Sequence, residues 1–152
     1  MDIAKWMKHP VRSVKPRDSI RHARELMAEH RINQLPVVVD GRVVGIVTDR
    51  DLRDAFPSVF DLARSQAAHE AAPALDGIVV ETVMSPNVLI LRPTDSVSAA
   101  AQLMRQERIG AVPIVDHGRL VGIITRSDLL DALFAAVGTA EPRPARAAGA
   151  PS

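Results

Sequence analysis

The chain contains no cysteine and few aromatic residues: one Trp, three Phe and no Tyr in 152 residues. The missing cysteine excludes disulfides, zinc sites built on thiolates, and thiol nucleophiles. Because aromatics are scarce, the core has to be built from aliphatic side chains, which supply most of the 47 % hydrophobic residues. A formal net charge of +1 gives no general attraction for nucleic acid or for an anionic membrane.

Long hydrophobic runs and common catalytic motifs are also missing. No apolar stretch approaches the roughly 20 residues of a membrane-spanning helix, and Asp2 stands where a signal peptide carries basic residues. The five histidines lack the spacing of a zinc site, and neither a Gly-x-Ser-x-Gly elbow nor a Walker-type Gly-Lys-Ser/Thr sequence occurs. We therefore expect a cytoplasmic protein that is not an enzyme, holds no metal or catalytic cofactor, and binds neither nucleic acid nor membrane.

The chain contains an internal repeat with a period of 77 residues. When the sequence is shifted by 77 positions, residues 7–54 align with residues 84–131 without a gap, and 21 of the 48 aligned positions are identical. The match is densest between residues 41–48 and residues 118–125. Identity of this density indicates a duplication, and it predicts two similar folded units.

The repeat divides the chain into four parts. We predict repeat 1 over residues 1–56, a linker with one helix over residues 57–80, repeat 2 over residues 81–137, and a disordered tail over residues 138–152. The linker helix is expected around Ser58–Arg64, with a dimer contact or a lid as the alternative role of this segment.

Both repeats predict the order strand, helix, strand, strand, helix, which is an α/β (α+β) unit. The first strand is a short apolar stretch before a proline, at Val11–Val14 and Val88–Leu91. A serine N-cap then opens a helix in each repeat. The helices should end near Asn33 and Gly110, because both residue types tolerate left-handed backbone.

Two further strands and a second helix complete each repeat. Asp40-Gly41 and His117-Gly118 lie between β-rich runs and predict tight hairpin turns. The second helix should begin at Asp49 in repeat 1 and at Arg126 in repeat 2.

The start of that second helix carries the sequence Thr-x-x-Asp in both repeats, at Thr48 to Asp51 and at Thr125 to Asp128. One interpretation is a capping box, in which the two side chains satisfy free N–H groups of the first helical turn. The other is a ligand site, because a hydroxyl donates to phosphate and a carboxylate accepts from ribose hydroxyls. The residues alone leave both open.

These two Thr-x-x-Asp helix starts, or corners, resemble a known family. The sequences Gly-Ile-Val-Thr-x-x-Asp-Leu (Gly45–Leu52) and Gly-Ile-Ile-Thr-x-x-Asp-Leu (Gly122–Leu129) resemble the CBS domain, named after cystathionine β-synthase. The family's apolar residue before proline is also present, at Leu35-Pro36 and Val112-Pro113. The resemblance covers roughly residues 1–136, and the chain is similar to stand-alone bacterial CBS pairs of the acetoin-utilisation-B type.

The resemblance implies a fold and a ligand class. The two units would pack as one pseudo-twofold module with two clefts, bind AMP, ADP, ATP or S-adenosylmethionine as a regulatory ligand, and form a homodimer that acts on an effector protein in trans. Asp51 and Asp128 would hold ribose hydroxyls, and the threonines would face phosphate or ribose. The ligand-binding residues implied in this way are Ile32, Asn33, Leu35, Pro36, Thr48, Arg50 and Asp51, with Ile109, Gly110, Ala111, Val112, Pro113, Thr125, Arg126, Ser127 and Asp128.

The two corners differ in charge. Repeat 1 has Asp49 beside Arg50, whereas repeat 2 has Arg126 beside Ser127 and no additional acid. We therefore expect the second site to bind phosphorylated ligand more tightly. The alternative function is a ligand-free interaction or dimerisation scaffold, in which Thr-x-x-Asp only caps helices.

Overall fold

Each repeat folds into a helix, an antiparallel hairpin and a second helix, which confirms the predicted mixed α/β class. The computed structural model of the chain describes residues 1–55, 77–138, 141 and 143–148. The predicted linker helix at Ser58–Arg64 lies outside the described residues. The elements are a 3-10 helix (Ile3–Lys5), α1 (Ile20–His30), β1 (Gln34–Val39), β2 (Arg42–Thr48), α2 (Asp49–Ala55), α3 (Val80–Val83), α4 (Val97–Glu107), β3 (Ala111–Asp116), β4 (Arg119–Thr125) and α5 (Arg126–Val137).

The hairpins form as predicted, and they are closed by residues with positive φ. Asp40 and Gly41 have φ of 50° and 81°, and His117 and Gly118 have φ of 50° and 78°. Positive φ at both central residues is what a two-residue turn of type I′ requires. Both hairpins also carry a register shift at the equivalent position, between Val37 and Val38 in β1 and one repeat later in β3.

The serine N-caps are confirmed, but the predicted helix ends are wrong. Ser19 Oγ accepts the N–H of His22 over 3.1 Å, and Ser96 Oγ accepts the N–H of Ala99 over 3.0 Å. The left-handed residues that end α1 and α4 are arginines, with φ of 53° at Arg31 and 55° at Arg108, rather than Asn33 and Gly110.

Tertiary packing explains these early helix ends. The N–H groups of Arg31 and Ile32 both donate to the carbonyl of Met27. This turn brings the Ile32 side chain back against the hydrophobic core. Burial of an isoleucine therefore offsets the cost of left-handed backbone at a residue with a Cβ.

The predicted first strands shrink to single paired residues. Val14 donates its N–H to the carbonyl of Pro36 over 3.0 Å and accepts from the N–H of Val38 over 2.8 Å. Leu91 makes the equivalent parallel bridge to Ile114 in repeat 2. The pairing does not extend past Val14 because the next donor toward β1 would be residue 16, and Pro16 has no N–H.

Each folded half, or lobe, contains the short helix from the start of the other repeat. Lobe 1 consists of α1, β1, β2 and α2 with α3, and lobe 2 consists of α4, β3, β4 and α5 with the 3-10 helix. Val80 of α3 is fully buried in the core of lobe 1. Ile3 is fully buried in the core of lobe 2, and its N–H donates to the carbonyl of Asp95 over 2.9 Å. The lobes meet through β2 and β4.

Candidate ligand-binding clefts

Residues 7–8 and 84–85, the exchanged segments, each reach the hairpin of the other repeat, and a glycine in that hairpin allows the approach. A Cβ at Gly45 would lie 2.5 Å from Met84 Sδ and 3.1 Å from the carbonyl oxygen of Ser85, and a Cβ at Gly122 would meet Met7 and Lys8 in the same way. A glycine at both positions leaves room for the approach without displacing these neighbouring atoms. The close approach lets Ser85 pair with Ile46 and Lys8 pair with Ile123 at the edges of the two hairpins.

Two clefts lie between the lobes, and each is built from both repeats. Cleft 1 has a volume of about 460 Å³ and combines Thr48 and Asp51 of lobe 1 with residues 109–111 of lobe 2 and with Val88. Cleft 2 has a volume of about 420 Å³ and combines Thr125 of lobe 2 with residues 32–34 of lobe 1 and with Val11. The corner of one repeat therefore faces the helix-to-strand junction of the other.

Most of the sequence-predicted residues line one cleft or both. Cleft 1 is lined by Asn33, Thr48, Arg50, Asp51, Ile109, Gly110, Ala111, Pro113 and Arg126. Cleft 2 is lined by seven of the predicted residues: Ile32, Thr125 and Ser127, which line this cleft alone, and Asn33, Gly110, Ala111 and Arg126, which line both. Four predicted residues line neither cleft: Leu35, Pro36 and Val112 are buried in the hydrophobic interior, and Asp128 is 3 % exposed.

Both Thr-x-x-Asp corners form internal hydrogen bonds at the helix start. The N–H of Thr48 donates to Asp51 Oδ2 over 2.9 Å, and the N–H of Asp51 donates to Thr48 Oγ1 over 3.0 Å. In repeat 2, the N–H and the hydroxyl of Thr125 both donate to Asp128 Oδ2, over 2.8 Å and 2.9 Å. The capping interpretation is thus confirmed for both corners, whatever further role the side chains have.

The two carboxylates differ in what surrounds them. Asp51 is half-buried and lines cleft 1. Asp128 is almost fully buried, and Lys8 Nζ lies 3.6 Å from its Oδ1. Lys8 was not among the predicted site residues: a shift of 77 positions aligns it with Ser85 but does not show that either residue reaches the corner of the other repeat.

The clefts also differ in charge. Among the residues that the structure describes, cleft 2 is lined by the basic residues Lys8, Arg12, Arg31 and Arg126 and by no acidic one. Cleft 1 is lined by four arginines but also by Asp49 and Asp51. Two of those arginines are already paired, since Arg53 lies 3.2 Å from Asp49 and Arg50 lies 3.4 Å from Asp54. Lys8 of cleft 2 is likewise paired, with Asp128, but two aspartates line cleft 1 itself, so cleft 2 is the more positive of the two.

A common wall separates the clefts. Its residues line both cavities, and they are Asn33, Gln34, Gly110, Ala111 and Arg126. The wall is bonded to the two helix starts, because the carbonyl of Asn33 accepts the N–H of Asp49 over 2.8 Å and the carbonyl of Gly110 accepts the N–H of Arg126 over 3.2 Å.

Neither a membrane span nor a metal cluster is found in the part of the chain that the structure describes. None of the helices there combines the length and the apolar character needed to cross a bilayer. No three His, Asp or Glu side chains of the described residues come together in a way that would hold a metal ion.

Comparison with known proteins identifies the family. The chain belongs to the CBS domain family, whose model matches residues 2–58 and 80–135. The CBS domain-containing protein YhcV of Bacillus subtilis is 36 % identical over 120 residues, which are 78 % of this chain and 76 % of YhcV. The resemblance that the two Thr-x-x-Asp corners suggested is therefore confirmed.

Solved structures of CBS pairs share the fold. CBSX2 of Arabidopsis thaliana in complex with AMP matches with a TM-score of 0.71 at 29 % identity, over 89 % of this chain and 97 % of that one. The CBS pair of MJ0100, in complex with 5'-methylthioadenosine and S-adenosyl-L-methionine, matches with a TM-score of 0.70 at 27 % identity, over 90 % and 97 %. An acetoin utilization protein (AcuB) from Vibrio cholerae matches with a TM-score of 0.71 at 25 % identity, over 90 % and 93 %.

Proposed function

We propose that this protein is a regulatory module that binds adenosyl ligands in its two clefts and acts on an effector protein in trans. The observation that carries the proposal is the crossed construction of the clefts. Each one sets the corner of one repeat opposite the junction of the other, within a volume of about 460 or 420 Å³. Volumes of this size are typical of small-molecule sites.

Cleft 1 has the groups that a nucleoside requires. Asp51 uses Oδ2 for the capping hydrogen bond, and its Oδ1 accepts no hydrogen bond from the described residues. That oxygen is available to the vicinal hydroxyls of a ribose. Ile109, Ala111 and Val88 provide apolar surface for the faces of an adenine, and backbone groups beside them supply hydrogen bonds to its edge.

The relatives support the adenosyl class of ligand. CBSX2 was solved in complex with AMP, and MJ0100 was solved in complex with 5'-methylthioadenosine and S-adenosyl-L-methionine. The adenosine moiety is common to all three ligands, whereas the group on the 5' carbon differs. We therefore propose adenosine as the shared determinant, with AMP, ADP or ATP as the preferred ligands because arginines line both clefts.

Cleft 2 is proposed as the tighter site for phosphorylated ligands. Its lining contributes four basic side chains without an acid. An anionic phosphate there gains favourable Coulomb energy that the aspartates of cleft 1 would partly cancel. Of the sequence contrast between Asp49 and Arg126, only Asp49 separates the clefts, because Arg126 lines both.

We also propose that the module functions in the cytoplasm as a homodimer. Helix α5 exposes four large apolar side chains, each at least half exposed: Leu130, Leu133, Phe134 and Val137. An exposed cluster of this kind is typical of an interaction surface. A second copy that buries the cluster would double the mass measured by light scattering, and Leu133→Asp would restore the mass of one chain.

A thermal-shift panel tests the proposed ligand class. The panel contains AMP, ADP, ATP, adenosine and S-adenosylmethionine, with GMP as the control for the base. A ligand present at about 100 times its Kd should add about 2.7 kcal/mol to the free energy of unfolding. Calorimetry then gives the stoichiometry, which should be two ligands per chain for AMP.

The competing function is a ligand-free scaffold. One observation favours it: both Thr-x-x-Asp corners are satisfied by internal hydrogen bonds without any ligand. Absence of a thermal shift with every adenosyl compound would favour the scaffold. A shift with AMP that GMP does not reproduce would favour the nucleotide-binding module.

A further inference from the structure

Lys8 and Ser85 occupy equivalent places at the two clefts. The N–H of Lys8 donates to the carbonyl of Ile123 over 2.8 Å and its carbonyl accepts from Ile123 over 3.0 Å. Ser85 makes the same pair of bonds with Ile46, over 2.9 Å and 3.0 Å. Both residues line their cleft. Since the backbone is held in the same way, the clefts differ at this position only in the side chain.

The Lys8 side chain covers the carboxylate that cleft 2 would offer to a ribose. Lys8 Nζ lies 3.6 Å from Asp128 Oδ1, and Asp128 Oδ2 already accepts two hydrogen bonds from Thr125. Both oxygens of the buried carboxylate therefore have a partner. Ser85 carries no charge and is too short to cover Asp51 in this way, so the ribose site of cleft 1 stays open.

We infer that Lys8 is a specificity-determining residue, which makes cleft 2 require a phosphate on its adenosyl ligand whereas cleft 1 accepts adenosyl ligands without one. The inference rests on the proposed function, and it names the ligand that each cleft takes. Cleft 1 is the site for nucleosides and thioethers as well as nucleotides. Cleft 2 is the site for nucleotides alone.

The physical basis is an exchange of partners at the Lys8 ammonium. The side chain of Lys8 is 63 % exposed, and its distance of 3.6 Å from the carboxylate exceeds that of a hydrogen bond. A phosphate beside Arg12 and Arg31 offers the ammonium a charge-assisted hydrogen bond, which is the stronger interaction. When Lys8 moves to the phosphate, Asp128 Oδ1 is freed for ribose hydroxyls.

Ligands without phosphate cannot drive this exchange. Adenosine offers the ammonium no anion, so its ribose would compete with Lys8 for the carboxylate. The sulfonium of S-adenosylmethionine places a further positive charge among Lys8, Arg12, Arg31 and Arg126, which is unfavourable. Binding of the two ligands in cleft 2 is therefore expected to be weak compared with AMP.

The test compares AMP and adenosine by calorimetry, one cleft at a time. Val88→Trp fills cleft 1 and leaves cleft 2 to be measured, and the equivalent Val11→Trp does the reverse. In cleft 2 we expect AMP to bind about a hundredfold more tightly than adenosine, and Lys8→Ser to lower that ratio about tenfold. Lys8→Arg, which keeps the charge, should retain most of the preference.

The reciprocal variant is the matched control. Ser85→Lys in the Val11→Trp background should weaken adenosine binding to cleft 1 and raise its ratio of AMP to adenosine affinity. Because the backbone bonds at positions 8 and 85 do not involve the side chains, both variants should keep the melting temperature of their parent. Lys8→Gln replaces Lys8→Ser if that variant melts early.

The outcomes separate this inference from the proposed function. If neither AMP nor adenosine binds the wild-type protein, the proposed function fails and the role of Lys8 fails with it. If AMP binds in cleft 2 but the Lys8→Ser variant keeps the wild-type ratio of affinities, only the inference is overturned. A reduced ratio in Lys8→Ser together with a raised ratio in Ser85→Lys supports it.

Discussion

Thr48 and Asp51 exchange hydrogen bonds in both directions, from the N–H of Thr48 to Asp51 Oδ2 over 2.9 Å and from the N–H of Asp51 to Thr48 Oγ1 over 3.0 Å. The pair closes the first turn of α2 and at the same time lines cleft 1. The structural role and the proposed ligand-binding role therefore coincide in one carboxylate. An alanine substitution would remove both roles at once, so the roles have to be separated by a substitution that keeps the cap.

Asp51→Asn is expected to separate them. The amide oxygen of asparagine can still accept the N–H of Thr48, whereas alanine cannot, so Asp51→Ala should lose about 0.5–2 kcal/mol of the free energy of unfolding and Asp51→Asn much less. Both variants should weaken binding of AMP to cleft 1, about tenfold or more, since the anionic acceptor is gone. Urea denaturation and calorimetry give the two quantities. Full AMP affinity in Asp51→Asn would show that the charge has no part in binding.

Asp128→Ala is expected to destabilise the protein more than Asp51→Ala does. Asp128 is 3 % exposed whereas Asp51 is only half-buried, and loss of Asp128 would leave both the N–H and the hydroxyl of the half-buried Thr125 without their partner. The cost of leaving these polar groups unsatisfied adds about 1–3 kcal/mol to the loss of the cap. Urea denaturation of the two variants side by side measures the difference. Equal losses would mean that water reaches Thr125 freely.

Gly45→Ala and Gly122→Ala are expected to cost about 1–3 kcal/mol each. The new Cβ would meet a methionine sulfur at 2.5 Å in both cases, which a flexible side chain can relieve, and a carbonyl oxygen at 3.1 or 3.2 Å, which the paired backbone cannot easily relieve. Gly77→Ala is the control, because a Cβ there has no heavy atom within 4 Å. Unchanged midpoints for all three variants in urea would contradict the close approach of the exchanged segments.

Ile3→Ala is expected to destabilise lobe 2 although residue 3 belongs to the first repeat in sequence. Ile3 is fully buried among Met104, Ile114 and Ile124, so the truncation leaves a cavity that costs about 2–5 kcal/mol. Ala4→Ser, at an exposed neighbouring position, should change the unfolding midpoint little. If the two variants unfold alike, the N-terminal segment is not part of the core.

Local signals predicted the parts of the fold that local geometry decides. Asp40-Gly41 and Ser19 act within a few residues, as a type I′ turn and an N-cap, so their residue types reveal them. The ends of α1 and α4 escaped prediction because the backbone at Arg31 and Arg108 is set by the burial of the isoleucine that follows, which is a tertiary effect. The first strands are shorter than predicted because Pro16 and Pro93, two residues past Val14 and Leu91, have no N–H with which to continue the parallel pairing.

The clefts show the same division between local and tertiary information. The Thr-x-x-Asp motif points to Asp51 and Asp128 equally, yet only Asp51 lines a cleft. Asp128 instead lies 3.6 Å from Lys8, which precedes the motif of its own repeat and reaches the corner of the other one. No sequence spacing reveals that crossing, since it depends on how the chain connects the two lobes. The family resemblance implied that Leu35 and Val112 flank the adenine, but their side chains are fully buried in the two cores.

The wall between the clefts has a consequence for how ligand binding in one cleft affects the affinity of the other. Arg126 lines both cavities, so a ligand that draws its guanidinium to one side withdraws that charge from the other. Any effect of the first ligand on the affinity of the second is returned by the same factor, because binding linkage is reciprocal. Because the two clefts share Arg126, the occupancy of each cleft is expected to depend on the concentration of the ligand that binds in the other.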